Sequence, residues 1–158
     1  MQLPGWLRQA LEYVGYDWPA TDEQVLWDWA QEWNALAQQC TDVIGTVQRG
    51  VQTVTAENHG PAATAFAHYA VGDDGNLKAL VDFRQGATNV AGAHAVAAGI
   101  VLTMKLAVIA QLVVLAAAIA SAIATAGLAT GAALAARQAA KWAIDAALNV
   151  AVEQILAA

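Results

Sequence analysis

The side chains able to do chemistry are few, and their spacing fits no catalytic site. Histidines stand at 59, 68 and 94, and the single cysteine is Cys40. A zinc site draws its ligands from short, regular spacings of Cys and His. These four residues are scattered, so His59, His68 and His94 read as solvated or core histidines. Asp73-Asp74-Gly75-Asn76 has the opening of a calcium loop, but Arg84 stands at the twelfth position, where a bidentate Glu is needed. It reads as a plain turn. Cys40 falls on an apolar helix seam and reads as a small core residue rather than a reactive thiol. The adjacent carboxylates of Asp22 and Glu23 fit a helix start, where the dipole favours negative charge. No phosphate loop or dinucleotide fingerprint is present. The expectation is a chain that is not an enzyme, with no cofactor and no metal.

The informative residues are aromatic. Trp6, Trp18, Trp27, Trp29 and Trp33 all lie in the first 33 residues, out of six Trp in the chain. This density points to a helical docking surface. Pro4 to Val14 reads as a short helix, with Pro in the first turn and Gly15 as its stop. Pro19 pushes Trp18 towards an extended conformation. Thr21-Asp22-Glu23-Gln24 reads as a capping box opening a long helix to Glu57, with Thr21 as the cap. Leu26, Trp29, Trp33, Leu36, Cys40, Val43, Val47 and Val54 then alternate in steps of three and four, apart from a shared position at Gly50 and Val51. That is an a/d seam over about four heptads. The seam is expected to close a bundle, with Trp29 and Trp33 in its core. The candidate partner-binding residues are Trp27, Trp29, Trp33 and Leu36, and Trp27, off the seam, is the first choice among them.

Composition sets the class. The chain has 158 residues, 58% of them hydrophobic and 13% charged, against roughly 45–50% and about 25% in ordinary soluble domains. The excess is mostly Ala, a strong helix former, and no Pro follows Pro61. No strand pattern of useful length appears. The formal charge is −6, and the cations are scattered singly. That argues against nucleic acid, which needs clustered Lys and Arg, and against a polybasic membrane-surface patch. The N-terminus has no basic segment followed by an apolar core and a cleavage site, so no cleavable signal peptide is read.

The expected fold is all-α: an elongated bundle of long antiparallel helices, forming one domain over 1–158. Its parts are an N-terminal helix and connector (1–20), the heptad helix (21–57), a hairpin return with an apolar helix (61–126), and an amphipathic helix (131–157). Asn58-His59-Gly60-Pro61 breaks the chain into a hairpin, Asn76 caps the following helix, and Thr130 caps the last. Arg137, Lys141, Asp145, Asn149 and Glu153 form one polar face of that last helix, with Leu134, Ile144, Leu148, Val152, Ile155 and Leu156 on the remainder. Leu106 to Ala136 carries no charge and is longer than the about 20 residues a bilayer span needs. Gly127-x-x-x-Gly131 has the small-residue spacing of packed membrane helices. Against a span, the run leans on Ala and lacks an aromatic belt. A buried central helix is therefore the first reading, and a membrane-inserting or pore-forming domain using 106–136 is the alternative.

The run PGWLRQALEYVGYDWPATDEQVLWDWAQEWNALA resembles the opening of actinobacterial WXG100-like domains at the N-terminus of large polymorphic toxins. The matching positions are Pro4, Gly5, Trp6, Val14, Gly15, Trp18, Pro19, Asp22, Glu23, Leu26, Trp27 and Trp33. Asn58-His59-Gly60-Pro61-Ala62-Ala63-Thr64-Ala65-Phe66 is similar to that family's hairpin turn. Gly60, Pro61 and Phe66 fit the motif, while Asn58 stands in place of the family's Trp. The resemblance implies a helical delivery module of a type VII (ESX-like) secretion substrate, cytoplasmic before export and secreted or held at the cell surface without a cleavable signal. It implies partners among small WXG100 proteins and the secretion machinery. It also implies a C-terminal toxin domain, which these residues do not include. Such substrates often carry Tyr-x-x-x-Asp/Glu as an export motif. Tyr69 and Asp73 match it after the hairpin, and Tyr13 and Asp17 match it earlier.

Overall fold

The computed structural model describes residues 3–73, 75–125, 127 and 130–157. Among the described residues five α-helices follow one another: α1 (Gly5–Val14), α2 (Glu23–Glu57), α3 (Pro61–Val71), α4 (Asn76–Ala124) and α5 (Thr130–Ala157). There is no strand among the described residues, and the fold is all-α, as the Ala-rich, Pro-poor sequence requires. The contacts gather in two compact units, Met1–Leu26 with Val96–Ala158, and Trp27–Ala95.

In the first unit, α1 begins with the Pro4 carbonyl accepting the N–H groups of Leu7 and Arg8, each at 3.0 Å. It ends at Gly15, whose φ of 88° is left-handed and costs least at glycine. The face of α1 made by Leu7, Ala10, Leu11 and Val14 is buried against Val108, Leu112 and Leu115 of α4 and Ala140 and Ile144 of α5. Two polar contacts tie the end of α1 to α5. The Tyr16 hydroxyl donates to the Asp145 carboxylate. Arg137 donates from Nε to the Tyr13 carbonyl at 3.1 Å and holds its guanidinium 4.8 Å from the centre of the Tyr13 ring.

The start of α2 is built differently from the capping box. The cap acceptor is Asp22, whose Oδ1 takes the Gln24 N–H at 2.9 Å, and the helix opens at Glu23. The Thr21 carbonyl instead accepts from Lys105 Nζ at 2.5 Å. Lys105 is 2% exposed, pairs with Glu23 Oε2 at 2.6 Å and lies 5.6 Å from the Trp18 ring centre. One ammonium thus anchors the connector and the first turn of α2 to α4.

Two further expectations are corrected here. The Gly127-x-x-x-Gly131 spacing does not fall on one helix. α4 stops at Ala124 and Gly127 sits in a turn with φ of 92°, so Gly127 and Gly131 do not share a helical face. Asn76 and Thr130 are the first residues of α4 and α5, inside the helices they were expected to cap. In α5 the buried positions are Ala140, Ile144 and Ala151, while Leu134, Val152, Ile155 and Leu156 are exposed. Alanine at the contact lets long helices approach closely, and the bulkier side chains are left outside.

Candidate helical docking face

The same substitution of small for large governs α2 in the second unit. Its buried positions are Ala30, Ala37, Cys40 and Ile44, against a unit that also buries Ala87 and Ala91 of α4. The packed seam is therefore rotated from the one spelled by the large residues. Only Cys40 among the expected members is fully buried, while Trp33 and Leu36 are half-buried. Trp29 is 48% exposed and Val43 51%, and Val47 and Val54 are exposed with them. At about 100° per residue, Trp29, Leu36, Val43, Val47 and Val54 fall within about 40° of one line along the helix. They form an apolar stripe beside the packed seam.

Trp29, Glu32, Trp33 and Leu36 line one open hollow of about 370 Å³ on this stripe. The Trp29 ring stands edge-on to His94 of α4, with centroids 5.6 Å apart. His94 is fixed in turn by Nδ1 against the Val90 carbonyl at 2.9 Å. The structure thus brings together Trp29, Trp33 and Leu36. Trp27 does not join them: it lies about 160° around the helix from Trp29, exposed on another side.

The hairpin turn is set by Gly60, with φ of 101°, and by Pro61 at the first position of α3. Phe66 is exposed on α3. Asn58 closes α2: its backbone N–H and its side-chain Nδ2 both donate to the Val54 carbonyl, at 3.0 and 2.8 Å. Tyr69 is 70% exposed in the last turn of α3. It lines a hollow of about 400 Å³ together with Asp73, Ala65, His68, Gly72 and Gly75.

A long helix, a Gly-Pro turn and a returning helix make a hairpin, with Trp29 exposed on the first helix. A family model, the WXG100 like domain, matches residues 2–147. The chain belongs to the WXG100-like domain family. No curated protein and no solved structure matches it. As a WXG100-like domain it is a helical protein associated with type VII secretion and with helical partners.

Among the described residues, no group of three or more His, Cys, Asp or Glu side chains is placed to hold a metal ion. Cys40 is buried with its thiol free. The structure also shows one residue that the motif reading of this WXG100-like domain passed over. Lys105 is the only formal charge between Arg84 and Arg137. A lone cation in so apolar a stretch needs a buried partner, and that signal was readable. Glu23 meets it: its carboxyl lies well below the ordinary 4.5, at about 2, and the hydrogen bond from the Lys105 ammonium is the largest cause. Elsewhere in the first unit, the bond to Asp145 pushes the Tyr16 hydroxyl up to about 12.

Proposed function

We propose that this chain is the delivery module of a type VII secreted toxin, pairing with a small WXG100-type helical protein through the outer stripe of α2. The observation that carries the reading is the exposed run Trp29, Val43, Val47 and Val54, with half-buried Trp33 and Leu36 beside it. From Trp29 to Val54 the stripe runs about 38 Å, the length of a partner helix of about 25 residues. Soluble monomers rarely leave a contiguous apolar strip of this kind uncovered. Each large side chain covered by a partner adds roughly 1.5–3 kcal/mol when fully desolvated. No catalytic role is assigned. Export would be read from Tyr69 and Asp73, which are exposed beside one hollow. The Tyr13 and Asp17 pair is less suited, because Tyr13 is engaged by Arg137 through its carbonyl and its ring. The protein would be cytoplasmic until export and then secreted or held at the cell surface.

Co-expression with a small WXG100 protein encoded beside it tests the pairing. The two should purify as one complex, and Trp29→Asp or Val43→Asp should release the partner while the helical signal of the chain is kept. A chain that stays a monodisperse monomer in the presence of such neighbours refutes the proposal.

A second reading has its own observation. An 18-residue window within Pro61–Ala124 reaches a mean hydropathy of 2.5 with 17% of it buried, and Val113, Val114 and Ile123 of α4 are exposed. On this reading the C-terminal half of α4 enters a bilayer. Flotation with liposomes decides it, comparing the wild type with Val114→Lys, an exposed position. Leu112 is fully buried, so a Lys there would damage the fold and report nothing about lipid. Absence of flotation in every lipid composition ends this reading.

A further inference from the structure

We infer that the helix received by the α2 stripe carries lysine or arginine along the edges of its apolar seam. This rests on the docking reading above and adds the chemistry of the partner. One border of the stripe is the packed seam. The other border, about 60° to 100° around α2 from Trp29, holds Asp28, Glu32, Gln39, Thr46, Gly50 and Glu57. Its formal charges are all negative. Glu32 lines the hollow itself beside Trp29, Trp33 and Leu36. Glu57 ends the same border at the far end of the helix, and Asp28 adds to the field at the near end. The one cation of α2, Arg49, lies about 160° from Trp29, with Nη2 bonded to the Thr46 hydroxyl at 3.2 Å.

The Trp29 ring meets α4 at His94. On the His94 side of α4, the positions at helical spacing are Val90 and Phe83. A helix seated there meets apolar side chains at its centre and carboxylates at its outer edge. Cations along that edge suit it, and carboxylates are repelled. The same argument opposes a second copy of this chain packed antiparallel on the same face, because two acidic borders would meet.

The test uses the full chain and three synthetic helical peptides about four heptads long, with one common Leu and Val seam. Their edge positions are all Lys, all Gln or all Glu. Two exposed ion pairs, to Glu32 and Glu57, favour the Lys peptide over the Gln peptide by about 2- to 30-fold in Kd at low salt. The preference shrinks towards 1 M salt, where the screening length is about 3 Å. It also falls in the Glu32→Gln, Glu57→Gln double variant, whose exposed positions leave the fold intact. Equal binding of all three peptides overturns the edge chemistry and leaves the docking face standing. Binding by none of them, with Trp29→Asp changing nothing, removes the docking reading and this inference together. A dimer of the chain alone that tightens when Glu32 and Glu57 are neutralised puts a second copy on the face and overturns the inference.

Discussion

The pair of Lys105 and Glu23 gives the sharpest prediction, because the two sides of the pair should behave unequally. Lys105 is 2% exposed, whereas the Glu23 side chain keeps 12% of its surface in contact with solvent. Glu23→Gln leaves an ammonium buried with the Thr21 carbonyl and the Trp18 ring but no counter-charge. Breaking a buried pair from this side costs about 3–5 kcal/mol. For a chain of 158 residues that lowers Tm by about 6–20 °C. Lys105→Met removes the charge, keeps the aliphatic stem and lets Glu23 take up water, so its cost stays below about 1.5 kcal/mol. The double variant should resemble Lys105→Met alone. Urea unfolding followed by circular dichroism gives the three differences.

The pH dependence of the pair has a fixed sign. The carboxyl of Glu23 is lowered from 4.5 to about 2 in the folded chain, chiefly by the hydrogen bond from Lys105. Its stabilising contribution is full above pH 4.5 and is lost as pH falls towards 2. The gap between wild type and Glu23→Gln should therefore close across that window. Equal costs for Glu23→Gln and Lys105→Met, or a gap that stays constant through it, would refute the reasoning.

Three other outcomes are expected. Ile44→Ala should cost about 2–5 kcal/mol, whereas Val43→Ala, one residue away on the exposed stripe, should stay within about 0.5 kcal/mol; similar values from chemical denaturation would contradict the rotated seam. Tyr16→Phe should lose about 1.5–3 kcal/mol, the value of a hydrogen bond to a charged group. In the wild type, absorbance titration should find one tyrosine ionising at about 12, with its stabilising contribution complete below pH 10 and lost as pH rises towards 12. Gly60→Ala should cost on the order of 1–2 kcal/mol, because φ of 101° lies in a region that a Cβ disfavours; an unchanged Tm would show that the turn relaxes.

The gross fold was legible because helix formation here is local. Ala content, absence of late prolines, Gly15, Gly60 and Pro61 each act within a few residues of themselves, and the helices start and stop close to them. The family was legible for the same reason, being carried by an ordered run of residues. Which face of each helix turns inward was not legible. The rule that large apolar residues make the core placed Trp29, Val43 and Val47 inside, whereas α2 packs through Ala30, Ala37, Cys40 and Ile44. Both stripes have helical periodicity, and they differ by a rotation that pattern alone does not resolve.

The sequence by itself therefore determined an all-α chain, its breaks, its family and the aromatic residues available for contact. Tertiary structure decided which of them remain available. Close packing of long helices selects small side chains at the contact line, and this choice depends on the neighbouring helix rather than on the residue. It displaced Trp29 and the valines to the surface beside Glu32. It also matched Lys105 with Glu23 across 82 residues of sequence, since a buried charge takes whichever counter-charge the fold brings within reach.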